Sequence, residues 1–172
     1  MNKQGHQLVI TGAAVAGAAC VAYRGVVRGT LRRGARGLMA GDPEPLLRSF
    51  AEDAVLFLDG THSWAGEHRG KAGIRAFFER FLQAGVRGEV HEILVQGLPW
   101  RTTVMARFTD HAVDSRGTAI VYENRAVIVG TLVWGRIRAQ RIYEDTQRVA
   151  EFDRILERLG DPVALTAVNP AA

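Results

Sequence analysis

The chain has 172 residues and a mass of 18.8 kDa, with 47% hydrophobic and 23% charged side chains, values that fit one domain and exclude wholesale disorder, collagen and coiled coil. The formal charge of +4 is concentrated at one end: Lys3, Arg24, Arg28, Arg32, Arg33 and Arg36 have no acidic neighbour before residue 42, leaving 16 basic against 18 acidic side chains over residues 42 to 172. The globular part is mildly acidic, which argues against a nucleic-acid partner. The first predicted element is a helix over the uncharged run Leu8 to Tyr23. Its 16 residues span about 24 Å, a little short of the roughly 30 Å hydrocarbon core, and extension through Val27 requires Arg24 to snorkel. The single cysteine, Cys20, excludes an intrachain disulfide framework and reads as a small buried side chain of this helix.

Arg24, Arg28, Arg32 and Arg36 recur every four residues, while Val27, Leu31, Ala35 and Leu38 follow another face. Like charges at this spacing repel in water, so the stripe suits an anionic surface such as phospholipid headgroups, each contact contributing about 1 kcal/mol. Residues 8–27 are thus expected to anchor the protein in a membrane with the following domain facing the cytoplasm, since arginines after an apolar run oppose export. A cleaved export signal and an ordinary helix of a soluble cytoplasmic protein are the alternatives. On this reading the chain divides into an N-terminal hydrophobic helix with a basic flank (1–30), a folded domain (31–160) and a loose tail (161–172).

After Gly41, the sequence Asp42-Pro43-Glu44 reads as a capped helix start, with Leu46, Leu47 and Phe50 buried. Residues 54–58 predict a short strand and Asp59-Gly60 a turn. Ile74, Phe77, Phe78, Phe81 and Leu82 mark a helix over 71–84 that stops at Gly85. Strands follow at 89–96, 101–113, 119–133 and 136–144, separated by Gly97-Leu98-Pro99, Ser115-Arg116-Gly117 and Trp134-Gly135. Val149, Phe152, Leu156 and Leu159 mark the last helix, with Asp145 placed to cap it. This order predicts an α+β fold in which a bent antiparallel sheet wraps helices.

Four segments in this order resemble the nuclear transport factor 2-like superfamily, and within it the SnoaL-like group of polyketide cyclase and ketosteroid isomerase relatives: Leu38-Met39-Ala40-Gly41-Asp42, Phe50-Ala51-Glu52-Asp53-Ala54-Val55, Gly66-x-x-x-Gly70-Lys71-x-x-Ile74, and Arg141-Ile142-Tyr143-Glu144-Asp145-Thr146. The resemblance covers about residues 31 to 160. It implies a cone-shaped, cystatin-like α+β barrel with an apolar pocket for a small hydrophobic or amphipathic molecule, and a homodimer through the outer sheet face.

The register that the resemblance provides places Leu58 where ketosteroid isomerases carry their general base and Gly34 where they carry the phenol of the oxyanion hole, so that machinery is missing. An Arg-x-Asp of the limonene epoxide hydrolase type is matched at Arg107 only, with Thr109 and Ile142 in place of the two carboxylates. In the same register, alternation puts Met105, Arg107, Thr109 and His111 on the concave face, with Tyr122, Asn124 and Ala126 on the next strand and Gln140, Ile142 and Glu144 on the last. Arg107 is expected opposite Glu144, holding either each other or a ligand. Glu144, His111 and Arg107 are the candidates for an acid–base isomerase, cyclase or hydrolase, and a carrier or a protein-interaction domain are the other readings. Trp64 either caps the pocket or plugs the core under its loop. No nucleotide-loop, zinc or serine-elbow motif occurs. His62, Glu67 and His68 lack helical ligand spacing and a third partner, so neither metal nor cofactor is expected.

Overall fold

A computed structural model describes the backbone of residues 3 to 113 and 120 to 158, with side chains from Gly17 onward except Ile120. The chain order is α1 (Lys3–Met39), α2 (Glu44–Leu47), β1 (Phe50–Leu58), β2 (Gly66–Arg69), α3 (Gly70–Gln83), β3 (Arg87–Leu98), β4 (Arg101–Val113), β5 (Ile120–Val133), β6 (Arg136–Glu144) and α4 (Thr146–Arg158). The expected tail at 161–172 lies outside the described residues.

The six strands form one curved sheet in the order β2-β1-β6-β5-β4-β3. Every neighbouring pair is antiparallel except β1 and β6, which run parallel with Leu56 opposite Gln140 and Leu58 opposite Ile142. Strand β2, which periodicity did not reveal, is a four-residue edge strand paired to the end of β1. The concave side wraps α3, whose Ile74, Phe77 and Phe78 are buried with Phe50, Leu56 and Leu132 in one core. Fully burying side chains of this size stabilises the fold by about 1.5 to 3 kcal/mol each.

Helix α1 corrects the expected membrane anchor. It is one continuous helix from Lys3 to Met39. Among the described residues, no helix is both long and apolar enough to cross a membrane. The reason lies in the composition: Ala and Gly contribute little hydropathy, and arginines interrupt the run from residue 24. The two faces read from the sequence are real, but the apolar one is spent on the domain itself. Val27, Leu31 and Leu38 are buried, Arg28, Arg32 and Arg36 are exposed, Tyr23 Oη lies 2.8 Å from Thr102 Oγ1, and Arg24 Nε donates to the Gly97 carbonyl. Gly34 allows α2 to approach: a Cβ there would lie 2.9 Å from the Leu46 Cα. Cys20 is half-buried rather than buried.

Short-range chemistry sets the joints. Asp42 Oδ1 accepts the Glu44 N–H at the start of α2, and Asp145 Oδ1 accepts the Gln147 and Arg148 N–H groups at the start of α4. Trp134, at φ 50°, and Gly135, at φ 76°, make the tight β5–β6 turn. The outer sheet face exposes Leu94, Met105 and Tyr143.

Candidate functional site

The concave face, closed by α1, α3 and α4, encloses an apolar cavity of about 100 Å³ that opens to solvent, smaller than the roughly 300 to 1,000 Å³ of drug-sized ligand sites but of the same apolar, sparsely polar make-up. Its walls are largely aromatic and aliphatic: Trp64, Phe77, Phe78, Phe81, Phe108 and Phe152, with Leu38, Leu58 and Ile142 among the aliphatic side chains. The polar groups are Asp110 from β4, Tyr122 from β5, and Gln140 and Glu144 from β6. Among the described residues none that lines it is basic.

Period-two alternation puts these groups together. Asp110 sits directly opposite Asn124, and Ala126 opposite Glu144, so the two carboxyls flank β5 from either side. Tyr122 Oη donates to Asp110 Oδ2 at 3.3 Å, and Asn124 Nδ2 is 3.2 Å from Tyr122 Oη and 3.1 Å from the Asp145 carbonyl it also donates to. Tyr122 is fixed further by stacking on Phe152, with ring centroids 4.5 Å apart. Asp110 is 4% exposed, and its Oδ1 has no hydrogen-bond partner.

Electrostatics follow from burial without a cation. Loss of water raises the Asp110 carboxyl to about 6, opposed by the Tyr122 hydrogen bond. Burial, reinforced by the charge of Asp110, raises Glu144 to about 8. Burial and the same two carboxyls push the Tyr122 phenol up, so it remains a proton donor. Between these values the pair holds one proton, with Asp110 ionised and Glu144 neutral.

Of the residues expected to meet the ligand, Leu58, Trp64, Tyr122, Gln140, Ile142 and Glu144 line the cavity. Asn124 stands behind Tyr122, 2% exposed. Met105, Arg107, Thr109 and His111 do not line it. They occupy the opposite face of β4, where Arg107 lies 4.0 Å from Glu92 rather than beside Glu144, and Thr109 Oγ1 is 2.9 Å from His91 Nε2. The register on β4 was one residue out, and such a slip exchanges every side chain between faces. It also hid Asp110. The signal was present, because the even positions Val104, Ala106, Phe108 and Ala112 form the more apolar series, and Val104, Phe108 and Ala112 are buried.

The loop after β1 has a different role from the cavity. Ser63 donates through its N–H to Asp153 Oδ2 at 2.8 Å and through Oγ to Asp153 Oδ1 at 2.5 Å. Arg80 Nη1 donates to the Ser63 carbonyl at 2.7 Å, Nη2 to the Ser63 hydroxyl, and the guanidinium lies 4.1 Å from the Trp64 ring centre. Trp64 is buried under its loop and one side of it lines the cavity. His62 and His68 contact the Asp59 and Trp64 carbonyls through Nε2, and burial holds both below the usual histidine range. Among the described residues no three His, Cys, Asp or Glu side chains converge as metal ligands would.

A curved six-stranded sheet closed over helices around an apolar cavity is the nuclear transport factor 2-like, cystatin-like α+β cone. The model of the SnoaL-like domain matches residues 31–140, more than half the chain, and the protein belongs to that family. Solved structures agree on the fold. Bal32a from a soil-derived mobile gene cassette is 25% identical, with 75% of this chain and 97% of that one covered at a TM-score of 0.62. A putative isomerase from Rhodopseudomonas palustris is 17% identical over 78% and 96% at 0.56. A putative polyketide cyclase from Pseudomonas putida KT2440 is 18% identical over 73% and 93% at 0.51. No curated protein matches the chain significantly.

Proposed function

We propose that this SnoaL-like domain binds a small hydrophobic or amphipathic molecule in its cone and transfers protons to and from it, with Asp110 as base and Glu144 as acid. The observation that carries this reading is a pair of carboxyls in one apolar cavity, raised to about 6 and about 8, so that they hold opposite protonation states near neutrality. In the step this suits, Asp110 takes the proton from a carbon next to a carbonyl while Glu144 gives its proton to the carbonyl oxygen. Reversal at a different carbon leaves an isomer, and both carboxyls regain their starting states. Tyr122 and Asn124 hold Asp110 in place. The isomerase and polyketide cyclase names of similarly folded proteins are compatible with such proton transfers. Leu58, at the cavity wall, cannot serve as a base, so a ketosteroid isomerase arrangement is not part of the proposal.

The test is α-proton exchange in heavy water with a panel of hydrophobic cyclic ketones, with and without a basic nitrogen, followed by NMR. Exchange above buffer, reduced at least about 100-fold by Glu144→Gln and by Asp110→Asn, is the expected result. Exchange indifferent to both substitutions, or no exchange with any ketone, removes the catalytic part of the reading.

A second reading rests on the outer face, where Leu94, Met105 and Tyr143 are exposed among Glu92, Arg107 and Arg141. A second copy of the chain docking there would bury them, and sedimentation of wild type against Leu94→Arg measures whether it does.

A further inference from the structure

The cavity wall carries aromatic faces, two carboxyls and the neutral donors of Tyr122, Gln140 and Trp64, but no basic side chain among the described residues. Asp110 is almost wholly buried, its Oδ2 is taken by the Tyr122 hydroxyl, and its Oδ1 faces no donor. A buried carboxylate with an unmet oxygen is costly, and an ordinary protein relieves it with Arg, Lys or His. Basic groups on neighbouring elements are occupied or directed elsewhere: Arg80 is engaged by Ser63 and Asp153, Arg148 bonds the Glu123 carbonyl at 3.0 Å, and His111, exposed on the other face of β4, acts on Asp110 only through its field. The missing partner is therefore best supplied from outside the chain.

Its chemistry follows from what would satisfy the wall. A carboxylate, sulfate or phosphate would meet Asp110 and Glu144 in a space with no countercharge, and an apolar medium magnifies that repulsion. A neutral alcohol offers one hydrogen bond. A protonated amine offers several N–H donors and one positive charge, matching a cavity that carries one negative charge while Glu144 keeps its proton, and the aromatic rings favour a cation near their faces.

We propose that the ligand of this cavity is a lipophilic amine, bound as its monocation with a nitrogen N–H on Asp110 Oδ1 near Glu144 and its hydrocarbon body against Phe77, Phe108 and Phe152. The proposal rests on the reading of the cavity as a small-molecule site and narrows it to one charge class. With the nitrogen on Oδ1 and the Tyr122 hydroxyl on Oδ2, Asp110 serves this ligand as charge partner and not as base.

Three probes with one hydrocarbon body and different heads test it: phenylbutylamine, phenylbutanol and phenylbutyrate, titrated at neutral pH into the full chain with isotopically labelled isoleucine methyls. Ile128 and Ile142 line the cavity, so their methyl signals report occupancy whichever head binds. The amine is expected to bind at least about tenfold more tightly than the alcohol, the gain of a charge-assisted over a neutral hydrogen bond, and the carboxylate most weakly. Asp110→Asn should abolish the preference for the amine and leave the alcohol within about threefold. Arg107→Ala, on the opposite face of β4, should keep it. An alcohol or a carboxylate that binds as tightly as the amine overturns the amine assignment and leaves the cavity reading standing. If no probe moves the Ile128 and Ile142 signals, the cavity reading fails and the amine assignment with it.

Discussion

Two buried polar clusters lie close to α3 and α4, and they are built on opposite terms. Under the loop after β1, Arg80 and Asp153 each hydrogen-bond Ser63 and carry balancing charges 3.9 Å apart. In the cavity, Asp110, Tyr122 and Glu144 bring two acids together with no base, and one oxygen of Asp110 is left unmet. A closed network of the first kind fixes a loop and through it the position of Trp64. An open one of the second kind leaves an acceptor unused, which is what the proposed ligand would fill. Charge balance separates the two clusters, since Arg80 faces Asp153 whereas Asp110 and Glu144 face no cation on the cavity wall; unmet atoms alone do not, because His62 Nδ1, Trp64 Nε1 and His68 Nδ1 near the loop also have no partner.

The largest effect expected from this contrast is on stability. Asp153→Ala removes the counterion of Arg80 and both carboxylate acceptors of Ser63 and should cost about 3 to 5 kcal/mol in urea denaturation. Asp110→Asn removes a charge that has no partner and should cost less than about 1 kcal/mol or stabilise. Equal losses for the two would erase the distinction.

The next effect is its pH dependence. A carboxyl whose value is higher in the folded state than in the unfolded chain binds protons more tightly when folded, so stability falls as pH rises between the two values. For Glu144 that window runs from about 4.5 to about 8 and for Asp110 from about 3.8 to about 6. Unfolding free energy should therefore decline across pH 5 to 8, by at most about 1.4 kcal/mol per pH unit for each group. Glu144→Gln should remove most of the decline above pH 6. A profile that rises through this window, or one that the substitution does not alter, contradicts the assignment of an open acidic pair.

Smaller changes separate the parts. Tyr122→Phe takes away the donor that favours ionised Asp110, so the Asp110 carboxyl should titrate above about 6 when followed by carbonyl NMR, with a stability cost of about 1 kcal/mol. The smallest effect belongs to the outer face of β4: Arg107→Ala and His111→Ala should each change stability by less than about 0.5 kcal/mol and leave probe binding unchanged. A lost probe affinity in either variant would return the sequence-based face assignment to favour.

That last comparison also marks where the sequence was legible. Elements with strong periodicity appear where expected: β4 and β6 have the boundaries read from the sequence, and Ile74, Phe77 and Phe78 face the core of α3. The two-sided character of α1 was equally plain, but a string cannot say whether an apolar face meets lipid or the chain's own sheet, and Leu31 and Leu38 meet the sheet side of the domain. On β5 and β6, Tyr122, Gln140, Ile142 and Glu144 fell on the cavity side. On β4 the anchor was Arg107, taken from a motif that the chain does not complete, and it outweighed the apolar run of Val104, Phe108 and Ala112. Asp110 was lost for that reason. Its unmet oxygen is a property of three strands brought together, and no local pattern encodes it.

The parallel pairing of β1 with β6 gives the cavity a place in time as well as in space. Leu56 and Gln140 are partners about 80 residues apart in sequence, and β6 brings Gln140, Ile142 and Glu144 to the wall. During synthesis at roughly 5 to 20 residues per second, β1 waits roughly 4 to 16 s for its central neighbour. The hairpin with β2 and the packing of α3 are local and can form on the nascent chain, while the proton-holding pair and its enclosure arise only when the last strand leaves the ribosome. A nascent chain stalled before residue 136 carries Asp110 but not the β6 wall of the cavity, so the cavity can close only after β6 has emerged.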